Sequence, residues 1–231
     1  MKIGFACKYV HPQRDLKPKQ LKEIEQPLNC RATTVRWLNE HKQDAEDKLW
    51  ELMQHNIASI YELIGYVSTL PNELRMIRIS SPILPVATEA TWKYFWSKPD
   101  VIDYCEKNFI RCGNLARDKN VRLSMHPGQF TVLASDNPDI VERSIEEFEY
   151  HVNMARWMGF GKSFQDGCKI NVHISGKQGP DGIRKALPRL SQEARNLITI
   201  ENDEMGWGLD ASLELEKDLA LVMDIHHHWI R

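Results

Sequence analysis

The chain has 231 residues, 42% hydrophobic and 27% charged, with a formal net charge of −2. That is an ordinary globular composition, for which one domain over residues 1–231 is the default expectation, and the charge argues against a general nucleic-acid coat protein. No run of about eighteen apolar residues occurs, so no membrane span is expected. The opening MKIGFACKYV enters a strand-like pattern at once, without the apolar core and cleavage site of a secretion signal. Cys7, Cys30, Cys105, Cys112 and Cys168 form no CxxC pair, so reduced thiols in a cytoplasmic protein are expected.

Residues 2–7 (KIGFAC) predict a first strand, followed by a long basic loop with Lys8, Arg14, Lys17, Lys19 and Lys22. A helix is expected from about Asp44 to Leu70, with Leu49, Leu52, Met53, Ile57, Ile60 and Ile64 on one stripe, stopped by Pro71 and Asn72. MIRIS at 76–80 reads as the second strand. Pro99 suits the first position of the next helix, which should bury Ile102, Cys105, Phe109, Cys112 and Leu115. VRLSMH at 121–126 is the third strand. Asn137-Pro138 then starts a helix with the stripe Val141, Ile145, Phe148, Val152 and Ala155. KINVHI at 169–174, a helix over about 183–195 interrupted at Pro188, LITIE at 197–201, a short helix near 211–218 and a sixth strand ending at Asp224 complete the pattern. Alternating strands and helices predict an α/β fold with a mostly parallel sheet. Six such units suit either an open sheet or most of an eight-unit barrel.

The polar residues favour the barrel. His126, His173, Glu201 and Asp224 close four successive strands, and His227 follows Asp224 by three. In a parallel barrel these strand ends share one face, where polar groups read as catalytic. Imidazole and carboxylate together suit Zn²⁺, Mn²⁺ or Fe²⁺. A single strand-end histidine is usually a packing residue and a single acid usually caps the next helix; recurrence at four ends argues for a metal site. Pro127 and Gly128 force a tight turn that lifts Gln129 and Phe130. An exposed amide beside an exposed ring can enter a base stack; alternatively Phe130 folds onto Val132 or Leu133.

RLSMHPGQ at 122–129 and PDIVERSIEE at 138–147 resemble the UV damage endonuclease family, with RATT at 31–34, RISS at 78–81, VHISG at 172–176, IENDE at 200–204 and DIHHH at 224–228 in the family's order. The resemblance implies a TIM-type barrel holding divalent metal ions, a manganese cluster with zinc or magnesium as alternatives. It implies hydrolysis of a phosphodiester 5′ to pyrimidine dimers and 6-4 products, in some members also at abasic sites, by the two-metal pattern. Damaged double-stranded DNA would be the partner of a monomer, in the nucleoid if the source is bacterial. His126, His173, Glu201, Asp224 and His227 match family metal positions, with Glu201 as the catalytic bridging ligand. His227 is chosen among His226–His228 by the family's Asp-x-x-His spacing. Gln129 matches the family's probing glutamine, Phe130 stands where tyrosine is common, and Lys8 and Tyr9 fall in the first lesion-contacting loop. Glu89 stands near a family histidine.

An eight-stranded barrel needs two strands beyond the sixth, and the resemblance places further ligands there. A truncated or degraded chain is therefore the expectation. Three rivals remain: a metal-dependent sugar isomerase of the xylose isomerase type, an abasic-site endonuclease with the same hydrolysis but another lesion, and an inactive DNA-binding remnant. Isomerisation of a ketose would identify the first, preference for an abasic over a dimer-containing duplex the second, and gel shift without nicking the third. The chain alone is expected to nick damaged DNA weakly or not at all; a rate equal to that of a full-length relative would refute this.

Overall fold

The computed structural model describes residues 2–231. Six strands, β1 (Gly4–Ala6), β2 (Met76–Arg78), β3 (Arg122–Met125), β4 (Cys168–His173), β5 (Ile198–Glu201) and β6 (Ala220–Val222), follow chain order in a parallel sheet. The α/β alternation expected from the sequence is present. The chain divides into two compact units: residues 2–123 with Trp157–Gly159, and Ser124–Arg156 with Phe160–Arg231. No helix among the described residues is long and apolar enough to cross a membrane.

The first unit holds α1 (Pro18–Glu25), α2 (Val35–Glu40), α3 (Ala45–Ser68) and α4 (Pro99–Asp118). The expected stripe of α3 is its buried face, Leu49 through Ile64 being at most 2% exposed. On α4 the buried face is rotated from the expected one. Val101, Cys105, Phe109, Cys112 and Ala116 are buried, whereas Ile102 and Leu115 are half-buried. Burial pushes the Cys105 and Cys112 thiols up to about 12, so both are inert packing groups, as their shared face suggested. Helix α1 occupies what the sequence offered as loop; its two large apolar residues, Leu21 and Ile24, lie three apart, and none of its residues is buried. Asn56, fully buried on α3, accepts from the Arg31 N–H at 2.7 Å and donates to the Arg31 and Ile83 carbonyls at 2.8 Å. It thereby ties two loops to one helix.

The second unit carries α5 (Pro138–Trp157, bar its last residue), α6 (Gly179–Ala186), α7 (Gln192–Leu197), α8 (Leu209–Leu213) and α9 (Ile225–Ile230). The Asn137 side chain caps α5 by accepting from the Asp139 N–H at 2.9 Å. Pro188 does interrupt the next helix, as a 3₁₀ turn between α6 and α7. All four residues of β5 are buried, as a parallel strand covered on both faces requires. Register sets His173 beside Glu201 and Glu201 beside Val222, so the charged ends of β4 and β5 are neighbours by construction.

Two glycines separate steric from entropic effects. A Cβ on Gly113 would lie 1.8 Å from the Met158 carbonyl oxygen, whereas on Gly65 it would meet nothing within 4 Å. Gly113→Ala is expected to cost ~1–3 kcal/mol or more, and Gly65→Ala, inside α3, to gain up to ~1 kcal/mol. Urea unfolding of the two variants checks the contrast.

Candidate metal centre

Every strand-end residue singled out in the sequence lies in the second unit: His126 just past β3, His173 ending β4, Glu201 ending β5, Asp224 after β6 and His227 on α9. The structure brings them together. The His126 and His173 rings are 4.8 Å apart between centroids, and His173 and His227 are 5.0 Å apart. Glu201 is 2% exposed, with Oε2 3.3 Å from His126 Nε2 and Oε1 3.7 Å from His227 Nδ1.

Each imidazole is held by an acceptor at Nδ1. His126 Nδ1 lies 2.7 Å from the Pro127 carbonyl oxygen, His227 Nδ1 2.9 Å from that of Asn202, and His173 Nδ1 3.4 Å from Asp203 Oδ2. A carbonyl or carboxylate oxygen cannot donate, so the neutral rings carry their proton on Nδ1 and leave Nε2 as a lone pair. Two of those lone pairs, on His126 and His173, then face each other across 3.1 Å. That contact is repulsive unless a proton or a cation sits between the nitrogens. The donor set therefore fits a divalent cation, and the Nδ1 contacts are the supporting interactions that metal-bound histidines usually have.

The supports were not legible in the sequence. Asn171 donates its amide to Glu201 Oε2 and accepts from the Thr199 hydroxyl at 3.0 Å. Asn202, fully buried, accepts from the Asp224 N–H at 2.8 Å and donates to the Asp224 carbonyl at 3.0 Å. Asp203 Oδ1 accepts from the Met205 and Gly206 N–H groups at 2.7 and 2.9 Å. Asp224 caps α9 through Oδ1, which accepts from the His227 N–H at 3.0 Å, while Oδ2 stands 3.8 Å from His227 Nε2. One oxygen thus does the capping that a strand-end acid is expected to do, and the other faces the cluster. Glu204 was missed. Its Oε2 is 3.3 Å from His227 Nε2. Among the described residues, three triads are placed so that they could hold a metal ion: His126, His173 and Glu201; His173, Glu204 and His227; Glu201, Asp224 and His227. His226 and His228 are exposed, so the structure sets His227 apart from its two neighbours.

Burial works against a charge on His227, but the Asn202 carbonyl and the Asp224, Glu204 and Glu201 carboxylates outweigh it and hold the pKa above the ordinary imidazole value. Burial also opposes ionisation of Asp224, yet the His227 N–H and a hydrogen bond with Glu201 hold its pKa below the usual carboxylate value.

Gln129 and Phe130 stand on the turn after His126, closed by the Thr131 N–H donating to the Gly128 carbonyl at 2.9 Å. Phe130 is 84% exposed; it does not fold onto Val132 or Leu133. Lys8 and Tyr9 belong to the first unit. Lys8 is exposed, whereas the Tyr9 ring is 7% exposed and packs edge-on against Tyr66 at 4.8 Å. Glu89, also in the first unit, accepts from the Thr91 and Trp92 N–H groups at 3.0 and 3.1 Å and so caps its own turn. In the basic run after residue 176, Lys177 pairs with Asp136 at 2.9 Å, Arg184 with Asp218 at 3.0 Å, and Arg189 with Glu142.

A family model described as UV-endonuclease UvdE matches residues 1–231. The chain is 29% identical over 205 residues to a UV DNA damage endonuclease of Bacillus mycoides (strain KBAB4), covering 85% of this chain and 61% of the relative. It is 27% identical over 234 residues to a UV-damage endonuclease of Schizosaccharomyces pombe (strain 972 / ATCC 24843), covering 98% of this chain and 36% of the relative. The chain thus spans less than two thirds of the length of these curated relatives. The crystal structure of SacUVDE superposes with a TM-score of 0.75 at 21% identity, over all of this chain and 71% of the other. That likeness concerns the fold, which is the TIM-barrel type expected from the sequence.

The tautomers are directly measurable. In metal-free protein, ¹⁵N chemical shifts should show His126, His173 and His227 protonated at Nδ1 in their neutral forms. His227 should titrate above the ~6.5 of a free imidazole. Its stabilising contribution is then complete below that value and is lost as pH rises through the elevated folded pKa. Nε2-protonated neutral rings would remove the argument for inward lone pairs.

Proposed function

Because the chain belongs to the UV-endonuclease UvdE family, we propose that it is a metal-dependent DNA-repair endonuclease. It hydrolyses the phosphodiester 5′ to UV photoproducts, pyrimidine dimers and 6-4 products, with abasic sites as further substrates. The observation that carries this reading is the pair of facing Nε2 lone pairs on His126 and His173, 3.1 Å apart beside the buried Glu201 carboxylate. A sugar isomerase is disfavoured by the exposed Gln129-Phe130 turn, which that chemistry leaves without a task.

Divalent ions, manganese before zinc or magnesium, would supply Lewis acidity at the scissile phosphate and a nucleophile at neutral pH. His126, His173, Glu201, Asp224 and His227 would hold them. Glu201, which belongs to two of the triads, would bridge two ions. The chain's own work is orientation: Asn171 aims Glu201, and Asp203 and the Pro127 and Asn202 carbonyls aim the rings. Phe130 would replace stacking lost at the lesion, and Gln129 would meet the base edges. Lys8 would offset backbone phosphate charge. Tyr9 would act through its packing, since its backbone is hydrogen-bonded to the Asn29 side chain at 2.8 and 2.9 Å, which holds Lys8 on the loop before it. The same reading makes the protein a monomer working on damaged double-stranded DNA, in the cytoplasm and at the nucleoid if the source is bacterial.

With Mn²⁺, cleavage of UV-irradiated plasmid should exceed that of unirradiated plasmid, whatever its absolute rate, and Glu201→Gln should lower it at least ~100-fold. Lack of Mn²⁺-dependent cleavage together with no gel-shift preference for irradiated DNA would sink the proposal. Phe130→Ala should weaken binding to damaged duplex by ~1–3 kcal/mol while leaving Mn²⁺ binding intact; equal affinity would remove Phe130 from the interface.

A further inference from the structure

The Glu204 carboxylate is in an unusual position. Its Oε2 is shut off from solvent and has no hydrogen-bond partner, although it lies 3.3 Å from His227 Nε2. A buried carboxylate oxygen without a donor is costly. The imidazole offers no remedy in its neutral form, because its proton is on Nδ1, donated to the Asn202 carbonyl. A carboxylate oxygen and an imidazole lone pair then face each other, as the nitrogens of His126 and His173 do. Among the described residues no lysine or arginine pairs with Glu201, Glu204 or Asp224.

His173 and His227 each have Nδ1 committed, so each can serve one ion only. The triads share His173, Glu201 and His227 pairwise, and each has one member of its own: His126, Glu204 or Asp224. If His173 serves the ion at His227, Glu204 completes that position, because it shares a triad with those two histidines. Glu204 Oε2, at 3.3 Å from His227 Nε2, is nearer than Asp224 Oδ2 at 3.8 Å. Asp224 has also spent its other oxygen on the α9 cap. The turn that follows Glu204 is fastened by Asp203, which receives the Met205 and Gly206 N–H groups and also contacts His173. The loop after β5 is thus anchored to the site at the residue next to Glu204.

We propose that Glu204 is a metal ligand, completing with His173 and His227 a cation position separate from that of His126 and Glu201. The inference rests on the metal-dependent reading above, and it adds a ligand that the strand-end pattern does not contain. Its test is Mn²⁺ binding without DNA, by calorimetry and elemental analysis of wild-type protein and of Glu204→Gln, an isosteric change. Wild type should bind Mn²⁺ at two positions, and the variant should lose affinity at one by ~100-fold or more, with metal-free melting unchanged or improved. Because a variant can misfold, Mn²⁺ should also be added to wild-type protein carrying ¹³C-labelled glutamate, where the Glu204 Cδ resonance should broaden at sub-stoichiometric metal. Equal Mn²⁺ binding by wild type and Glu204→Gln, or an unbroadened Cδ resonance, would overturn the assignment while leaving the endonuclease reading standing. Wild-type protein that binds no Mn²⁺ would overturn both. Reduced binding in Glu204→Gln in a protein without preference for damaged DNA would keep the ligand and discard the nuclease.

Discussion

Two imidazole nitrogens, on His126 and His173, stand 3.1 Å apart, and an acceptor-only oxygen at each ring's far side leaves both with a lone pair. Such a contact does not stabilise a fold. It persists because the surrounding structure determines each ring independently: the Pro127 carbonyl fixes one and Asp203 the other. Much of the second unit can be understood as the framework that holds these rings, Glu201 and His227 in mutual tension until a positive charge enters.

The framework is built mostly from backbone. The register of β4 on β5 sets His173 level with Glu201, and side chains can then only choose a rotamer. Asparagine supplies the adjustments where strands end. Asn202 makes a reciprocal pair with the Asp224 backbone, so the segment after β6 is secured to the end of β5 without a further strand residue. Asn171 turns the Glu201 carboxylate. Removing either amide would leave buried polar groups without partners, a greater loss than the hydrogen bonds themselves.

The sequence made the strand-end residues legible because a parallel α/β chain repeats one geometry, and His126, His173, Glu201 and Asp224 recur at the same phase of it. His227 was legible only through the family's spacing, since three consecutive histidines cannot be ranked without knowing which face of α9 turns inward. Glu204 escaped because it lies beyond a strand end, on a loop whose direction is set by the hydrogen bonds of Asp203 rather than by any period. Helix α1 escaped because Leu21 and Ile24 are its only large apolar residues, and two positions within one turn are too few to establish a period. The face of α4 was misplaced by one side because Ile102 and Leu115 are as apolar as the residues buried beside them, and only packing chooses between them.

Helix α9 has six residues, and His227 is the single member that is not exposed. A segment this short does not hold its shape in water by itself, and the outward side chains, Trp229 at 85% exposure among them, contribute no anchorage within this chain. Its order therefore depends on the Asp224 cap, on what His227 grips and on Arg231, which follows the helix and donates to the Gly206 carbonyl at 2.6 Å. On the proposed reading, loading the centre and winding α9 become one linked equilibrium. Chelators would then do more than silence chemistry: they would loosen this helix and open it to proteases.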